Sequence, residues 1–415
     1  MFSYWEEQSF FHYDVVIIGG GIAGLSTAIS LKEKEPDLHI AIFERGIIPA
    51  GASLRNAGFA CIGSFTEILD DLEHMQEDKV LQLLQLRREG LTILRKRLGD
   101  RNIDYHENGS YELIMDNEIP LLDHLDKVNR LLYPLLQGTA FSLCNERIRE
   151  FGFDENKVKS MVLNHFEGEL HSGMMISALI EKVIRLGIEI KTGCGVESIH
   201  EQKNGVTINI KDPENKSSVS FSAYRAAVCT NAFTEKLLPG IDLQPGRGQV
   251  LITDIIPDLS FKGIFHFDKG YYYFREINGR ILFGGGRNAD FAGETTTDAA
   301  LNESIQQMLE GKLNSLILPG RKVTIAQRWA GIMAFGIDKF PLIKKYSDNI
   351  FMAVRMGGMG IAIGSRAGEM LADLILESGS RQSRNFGSSR RQAVSYPETP
   401  NSKPETRNPG PNHTQ

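Results

Sequence analysis

Two rhythms of apolar and polar residues run along the chain, and they mark its elements. Residues 14–18, DVVII, put four apolar residues in a row, as in a strand buried on both faces of a parallel sheet. GLSTAISLKEKEP follows with helical character and ends before Pro36, and HIAIFE is a second strand. Strand, glycine turn, helix and strand make one βαβ unit. Residues 66–99 repeat apolar positions at three- and four-residue spacing among Glu, Lys and Arg, which predicts one or two amphipathic helices with a solvated charged face.

Further along, GSYELIM reads as a strand and PLLDHLDKVNRLL as a helix. MMISALIEKVIRLG is a helix ended by Gly187, with the strand IEIKT after it. VTINIKD, SVSFSA and AAVCT read as strands joined by turn-rich ENKSS. Residues 244–290 are strand-rich, with GQVLITDI, GYYYFRE and RILFGGG divided by turns such as INGR. A helix is expected at about 298–312, then strands in KVTIAQRWAG and NIFMAVR, then a closing helix in GIAIGSRAGEMLADLILE. From 379 to 415 large apolar residues become scarce among Ser, Pro, Asn and Arg, which predicts a disordered tail. The chain shows no internal repeat.

Composition narrows the class. With 415 residues the chain exceeds one usual compact domain, so two domains are expected. A hydrophobic share of 41% and a charged share of 24% belong to an ordinary soluble protein. A formal charge of −6 offers no basic face for nucleic acid. Cys61, Cys144, Cys194 and Cys229 lie far apart without a C-x-x-C pair, so neither a metal site nor a disulfide framework is expected, and a reducing, cytoplasmic setting is. Glu6 and Glu7 stand where a signal peptide carries positive charge. No apolar stretch reaches the roughly 20 residues of a membrane span.

Gly19, Gly21 and Gly24 fit G-x-G-x-x-G between the first strand and helix. The first permits a tight turn, the second lets backbone approach a pyrophosphate, and the third lets helix pack on strand. Glu44 ends the next strand 20 positions after Gly24 (44 − 24), where a carboxylate accepts from ribose hydroxyls. The pattern does not separate NAD from FAD. Far along the chain, MGGMGIAIGSRAGE is a second glycine turn opening a helix, at Gly357, Gly358, Met359, Gly360 and Ile361. A single NAD needs one such turn, whereas the N1/C2=O edge of a flavin gives a second group for helix N-terminal N–H groups to stabilise.

After the second strand, GASLRNAG resembles the flavin-contact segment of the D-amino-acid oxidase-like (glycine oxidase/sarcosine oxidase) superfamily. GELHSGMMISALIEKVIRLGIEIKTGCGVESI, AAVCTNAFTEKLLPGI, LQPGRGQVLIT, RWAGIMAFGIDKFPLI and MGGMGIAIGSRAGEMLADLI match in the same order, from about residue 13 to 377. The resemblance implies non-covalent FAD, contacted by Gly19, Gly21, Ile22, Ala23, Gly24, Glu44, Arg45, Ser53, Arg55, Asn56, Ala57, Val196, Thr230, Asn231, Ala232, Gly331, Gly357, Gly358, Met359, Gly360 and Ile361. It also implies an α/β fold in which a doubly wound, Rossmann-like FAD domain is interleaved with an α+β mixed-sheet substrate domain. The FAD domain would take 1–99, 156–244 and 323–378, and the substrate domain 100–155 and 245–322.

The implied chemistry is oxidation of an amine or amino acid, with hydride transfer from the C–H beside nitrogen to flavin N5 and hydrolysis of the product imine. The alternative is a dehydrogenase of a hydroxy acid or proline-like amine, so the acceptor is O2 or a quinone or other carrier. DKGYYYFREINGRILFGGGRNAD resembles the family's pocket wall, and strand alternation puts Tyr271, Tyr273 and Arg275 on one face. Tyr273, Arg275, Arg287 and Trp329 are the candidate substrate-side residues, with a packed structural sheet as the other reading. Relatives often carry Arg in W-x-G-x-R, where it grips a carboxylate, but Met333 stands here, so Arg275 or Arg287 would have to replace it.

Overall fold

The first strand shows why its sequence lacks polar alternation. In the computed structural model, which describes residues 2–211 and 218–378, it runs His12–Ile18. Val15 and Ile17 pack into one apolar layer while Val16 and Ile18 pack into another, because successive side chains leave opposite faces of a strand. Around it lies an eight-stranded sheet with the path Leu342–Lys345, Ile350–Val354, Ser218–Val228, His12–Ile18, Ile40–Phe43, Glu189–Lys191. Its central pairings are parallel, as βαβ connections require.

Helices Ile22–Lys34, Glu77–Leu98, Ser172–Arg185 and Gly360–Glu377 share the apolar layer on one face. On the other face Val206, Ile208 and Ile210, from the antiparallel ribbon of Val196–Gln202 and Gly205–Lys211, take the place a second helical layer would fill. The α/β, Rossmann-like fold is thus present, with a strand ribbon closing its second side.

The second eight-stranded sheet runs Ile325–Phe335, Gln244–Thr253, Arg280–Gly285, Tyr272–Ile277, Ile264–Phe267, Ser110–Met115, Val158–Asn164, Phe141–Leu143. It is mixed, with one parallel pairing between Ile264–Phe267 and Ser110–Met115. Phe151, Phe153, Phe261, Phe265 and Phe274 crowd its outer face in edge-to-face and stacked contacts. Strands 158–164 and 325–335 belong to this sheet, so it extends past the boundaries expected at 155 and 322. Residues up to Glu377 pack as one unit. Among the described residues no helix is long and apolar enough to cross a membrane.

Several elements differ from expectation. SVSFSA and AAVCT form one continuous strand, Ser218–Val228, because its second half is a central member of the sheet while its first half pairs with the ribbon. The helix expected from 298 starts at Glu303, where the Asn302 side chain caps it by accepting from the Ile305 N–H. An unforeseen short helix, Tyr4–Phe10, is closed by a capping box between Ser3 and Glu6. The tail from 379 and most of ENKSS lie outside the described residues.

Glycine allows two of these helices to meet closely. A Cβ on Gly90 would lie 1.9 Å from the Ala362 carbonyl oxygen, so helices Glu77–Leu98 and Gly360–Glu377 touch backbone to side-chain position there. Gly90→Ala should therefore destabilise the protein by more than about 1 kcal/mol, although alanine favours an isolated helix by about that amount. Denaturant unfolding of the two proteins checks the sign.

Candidate functional site

The turn after the first strand is shaped by its glycines. Gly19 has φ +110°, a conformation side chains rarely adopt, and its Cβ would lie 2.7 Å from the Cys229 carbonyl oxygen. A Cβ on Gly24 would lie 1.9 Å from the Gly19 carbonyl oxygen, so Gly24 seats the helix on the turn and does not itself line the cavity. The Glu44 carboxylate accepts from the Gly20 N–H at 2.9 Å and the Gly46 N–H at 2.8 Å, which fixes it at the end of its strand. The Ser53 hydroxyl accepts from the Ile22 N–H at 3.1 Å.

From this cradle an open cavity of about 1080 Å³ extends to the second sheet. Gly19, Gly21, Ile22, Ala23, Glu44, Arg45 and Val196 line its first end. Ser53, Arg55, Asn56, Ala57, Thr230, Asn231 and Gly331 line its middle, with the turn Gly357, Gly358, Met359, Gly360 and Ile361. Ala232 packs in a small apolar cluster with Ile332 and Ala334 instead. Arg45 lies over the Phe233 ring at 3.7 Å, and Arg55 donates to the Ala330 carbonyl at 2.9 Å. The second glycine turn is anchored by Arg355, left-handed at φ 67°, which donates to the Phe340 carbonyl and pairs with Asp338 and Asp242.

At the far end the two glycines of GRG in the Gln244–Thr253 strand open a floor. A Cβ on Gly246 would lie 2.9 Å from Arg287 Nε and 2.4 Å from the Phe335 ring. A Cβ on Gly248 would lie 3.0 Å from Met333 Cε and 3.9 Å from Tyr273 Oη. Residues two apart share one strand face at about 7 Å spacing, so Arg287 with Phe335 and Tyr273 with Met333 stand over successive positions of one wall. Burial pushes the Tyr273 phenol up to about 12, so it stays protonated at neutral pH.

Arg287 lies 4.0 Å from the Phe335 ring centre and 5.0 Å from that of Phe291, and burial lowers its pKa from the usual guanidinium range. Its buried Nε has no hydrogen-bond partner. Arg275 shares the Tyr273 face yet does not line the cavity. Its guanidinium donates to the carbonyls of Leu170 at 2.9 Å and Gly58 at 3.3 Å, beside Glu169 at 3.7 Å. Trp329 also stands off the cavity, with its indole N–H donating to the Arg55 carbonyl at 3.1 Å. Both substrate-side expectations are thus replaced by structural roles, because buried carbonyls must find donors.

The cavity includes residues that sequence reasoning missed. Lys339 pairs with Glu67 at 3.1 Å and Asp71 at 2.5 Å, and Arg87 reaches Glu67 at 3.3 Å. Burial would raise Glu67, but Arg87 and Lys339 outweigh it and hold the carboxyl at about 2. Burial, then Glu67, raises Asp71. Lys269 pairs with Asp70 at 2.6 Å. Glu67, Asp70, Asp71 and Arg87 look in the sequence like charges on a solvated helix face, and their partners Lys269 and Lys339 come from distant turns.

The glycine cradle, the buried acceptor at Glu44 and the long cavity ending at a second glycine turn fit an extended dinucleotide. The sequence profile of the FAD dependent oxidoreductase (DAO) family matches residues 14–374, and the chain belongs to that family. It is therefore an FAD-dependent oxidoreductase. It is 24% identical over 380 residues to the γ-glutamylputrescine oxidoreductase of Escherichia coli (strain K12), covering 87% of this chain and 83% of that protein. The L-proline dehydrogenase structure from P. horikoshii superposes with a TM-score of 0.71 at 18% identity, covering 88% of this chain and 94% of that one. Glycine oxidase from Geobacillus kaustophilus gives 0.69 at 19% identity, covering 88% and 95%. At such identities the two structures establish a shared fold.

Two outcomes follow from the cradle and the charge cluster. Glu44→Ala should weaken FAD binding by about 10- to 100-fold, since a charged acceptor of two N–H groups is lost; fluorescence titration of apoprotein with FAD measures this. Lys339→Met should cost about 1–2 kcal/mol at neutral pH, discounted for the partial exposure of Lys339. The loss should shrink as pH falls through the range where Asp71 takes a proton, because a neutral carboxyl no longer needs the lysine; unfolding midpoints across pH check the sign.

Proposed function

We propose that this chain oxidises the C–N bond of an amine or amino acid that carries an anionic group, with Arg287 holding that group. The observation that carries the reading is the state of Arg287. It lines the cavity, it is half-buried, and among the described residues no carboxylate pairs with it, whereas Lys269 and Lys339 are paired. An unpaired guanidinium against aromatic rings is suited to a carboxylate, which it can take bidentately. The relatives' names, for γ-glutamylputrescine, L-proline and glycine, all refer to C–N substrates and support the same class.

The proposed FAD-contact set is the glycine cradle with Glu44, the 53–57 loop and the Gly357–Ile361 turn. FAD supplies the acceptor for the two electrons of the substrate C–H bond when bound. The protein's own residues then have three tasks. Arg287 orients the substrate through its anionic end. The Tyr273 hydroxyl, protonated at neutral pH, offers a donor about one dipeptide repeat along the wall. Phe59, Met333 and Phe335 line the same end and exclude water from the reacting carbon. The imine product is hydrolysed by water. Burial raises Cys229 to about 12 and Cys61 well above the usual thiol range, so neither is poised as a nucleophile toward the cofactor, and FAD is held non-covalently.

An anaerobic panel of amines and amino acids should bleach the bound flavin with at least one carboxylate-bearing substrate. Arg287→Gln should then raise its KM by about 10- to 100-fold with kcat changed much less, as for loss of a charged bidentate contact. An unchanged KM, or bleaching only by amines without an anionic group, would sink the reading. Stopped-flow mixing of reduced enzyme with air or with a quinone decides between the oxidase and dehydrogenase forms.

A further inference from the structure

A second constellation lies in the lining of the same cavity, beside the substrate wall, where Cys61 and His266 line it and His266 pairs across strands with Tyr273. The short strands Phe59–Ala60 and Gly168–Glu169 pair antiparallel, Phe59 with Glu169 and Ala60 with Gly168. One step further in the same register sets Cys61 across from Glu167. His266, on the strand Ile264–Phe267, stands edge-on to the Phe59 ring at 5.1 Å. A sulfur, a carboxylate oxygen and an imidazole nitrogen from these three residues all lie within 4.8 Å of one another, and the residues are buried at 5%, 0% and 7% exposure.

Two of these groups are unsatisfied. The Glu167 carboxylate is fixed by one oxygen, which accepts from the Ile62 N–H at 2.7 Å and the Gly63 N–H at 3.2 Å, and the Ser110 hydroxyl also faces it. Its other oxygen has no hydrogen-bond partner, and neither has His266 Nε2. Each such buried atom forgoes the hydrogen bond that water would give it in the unfolded chain.

We propose that Cys61, Glu167 and His266 bind a divalent metal ion of the zinc class. Sulfur, nitrogen and oxygen donors together suit zinc or cobalt, whereas magnesium and calcium take oxygen. A thiolate and a carboxylate carry two negative charges, which one divalent ion balances in a buried place. Zinc bond lengths put tetrahedral ligand atoms about 3.3–3.7 Å apart, so the trio must close by no more than about 1.5 Å. Three protein ligands leave a fourth position for water. Burial raises the Cys61 thiol, brings Glu167 up to about 7 so that it is only partly protonated at neutral pH, and lowers His266 to about 4, which leaves the imidazole neutral and able to ligate. Binding displaces the Cys61 proton and whatever proton Glu167 still carries.

The test is independent of turnover. The FAD-loaded chain, freed of metal with a chelator, is titrated with Zn2+ by calorimetry and with Co2+ by difference absorbance against the flavin spectrum. One equivalent should bind, with release of protons and a near-ultraviolet thiolate-to-cobalt band. Cys61→Ser should abolish the band, and Cys61→Ser and His266→Gln should each weaken binding by at least about tenfold. Glu167→Gln, nearly isosteric, should do the same with folding intact, judged by retained flavin absorbance. Glu73→Gln, in the exposed Asp70–Glu73–His74 group, should leave affinity unchanged. Absence of binding to the folded yellow protein, binding that survives Cys61→Ser, or a cobalt spectrum without the thiolate band would each overturn the proposal and leave a water molecule in that place.

Discussion

Backbone-to-backbone closeness at a few glycines is the constraint on which the rest of the structure depends. A Cβ on Gly364 would lie 2.6 Å from Ile22 Cγ2, and one on Gly368 would lie 2.7 Å from both Ser26 Cβ and Thr27 N. The closing helix can therefore lie directly on the helix that opens the dinucleotide turn. That contact brings the Gly357–Ile361 turn to the same cavity as Gly19 and Gly21, although the two turns are more than 300 residues apart. In the proposed FAD placement both turns would grip one long molecule, and close helix packing sets their separation.

Charge is arranged differently at the two ends of the cavity. At the cradle the Glu44 carboxylate is held by N–H donors, a neutral environment that keeps it available as an acceptor. Toward the second sheet, Glu67, Asp71, Lys339 and Arg87 neutralise one another in a paired cluster. Arg287 stands outside that cluster, over rings that cannot cancel its charge. Buried ions are costly unless paired, and that is the ground on which the proposed function puts the substrate's anionic group at Arg287.

Much of the cofactor end was legible in the chain. The glycine spacing, Glu44 and the second glycine turn are local patterns, because a turn that cradles phosphate is built from consecutive backbone. The substrate end was legible only in part. Strand alternation puts Tyr273 and Arg275 on one face, but alternation says nothing about which neighbours reach that face first. Arg275 meets the carbonyls of Gly58 and Leu170, and Trp329 meets that of Arg55, so both are absorbed by backbone that the sequence places far away.

The sequence by itself determined the fold class, the FAD cofactor and the family, since each rests on short-range spacing and on motifs in fixed order. Tertiary structure decided that an antiparallel ribbon, and not helices, closes one face of the first sheet, since that depends on which apolar surface is left uncovered. It also decided that Arg287 meets aromatic rings, that Lys269 and Lys339 meet carboxylates, and that Cys61, Glu167 and His266 meet. Those residues are about 100 positions apart, and only the register of a two-residue ladder and the approach of a strand bring them together. Local patterns are written in neighbouring residues, whereas charge pairing and burial are settled by what the folded chain brings alongside them.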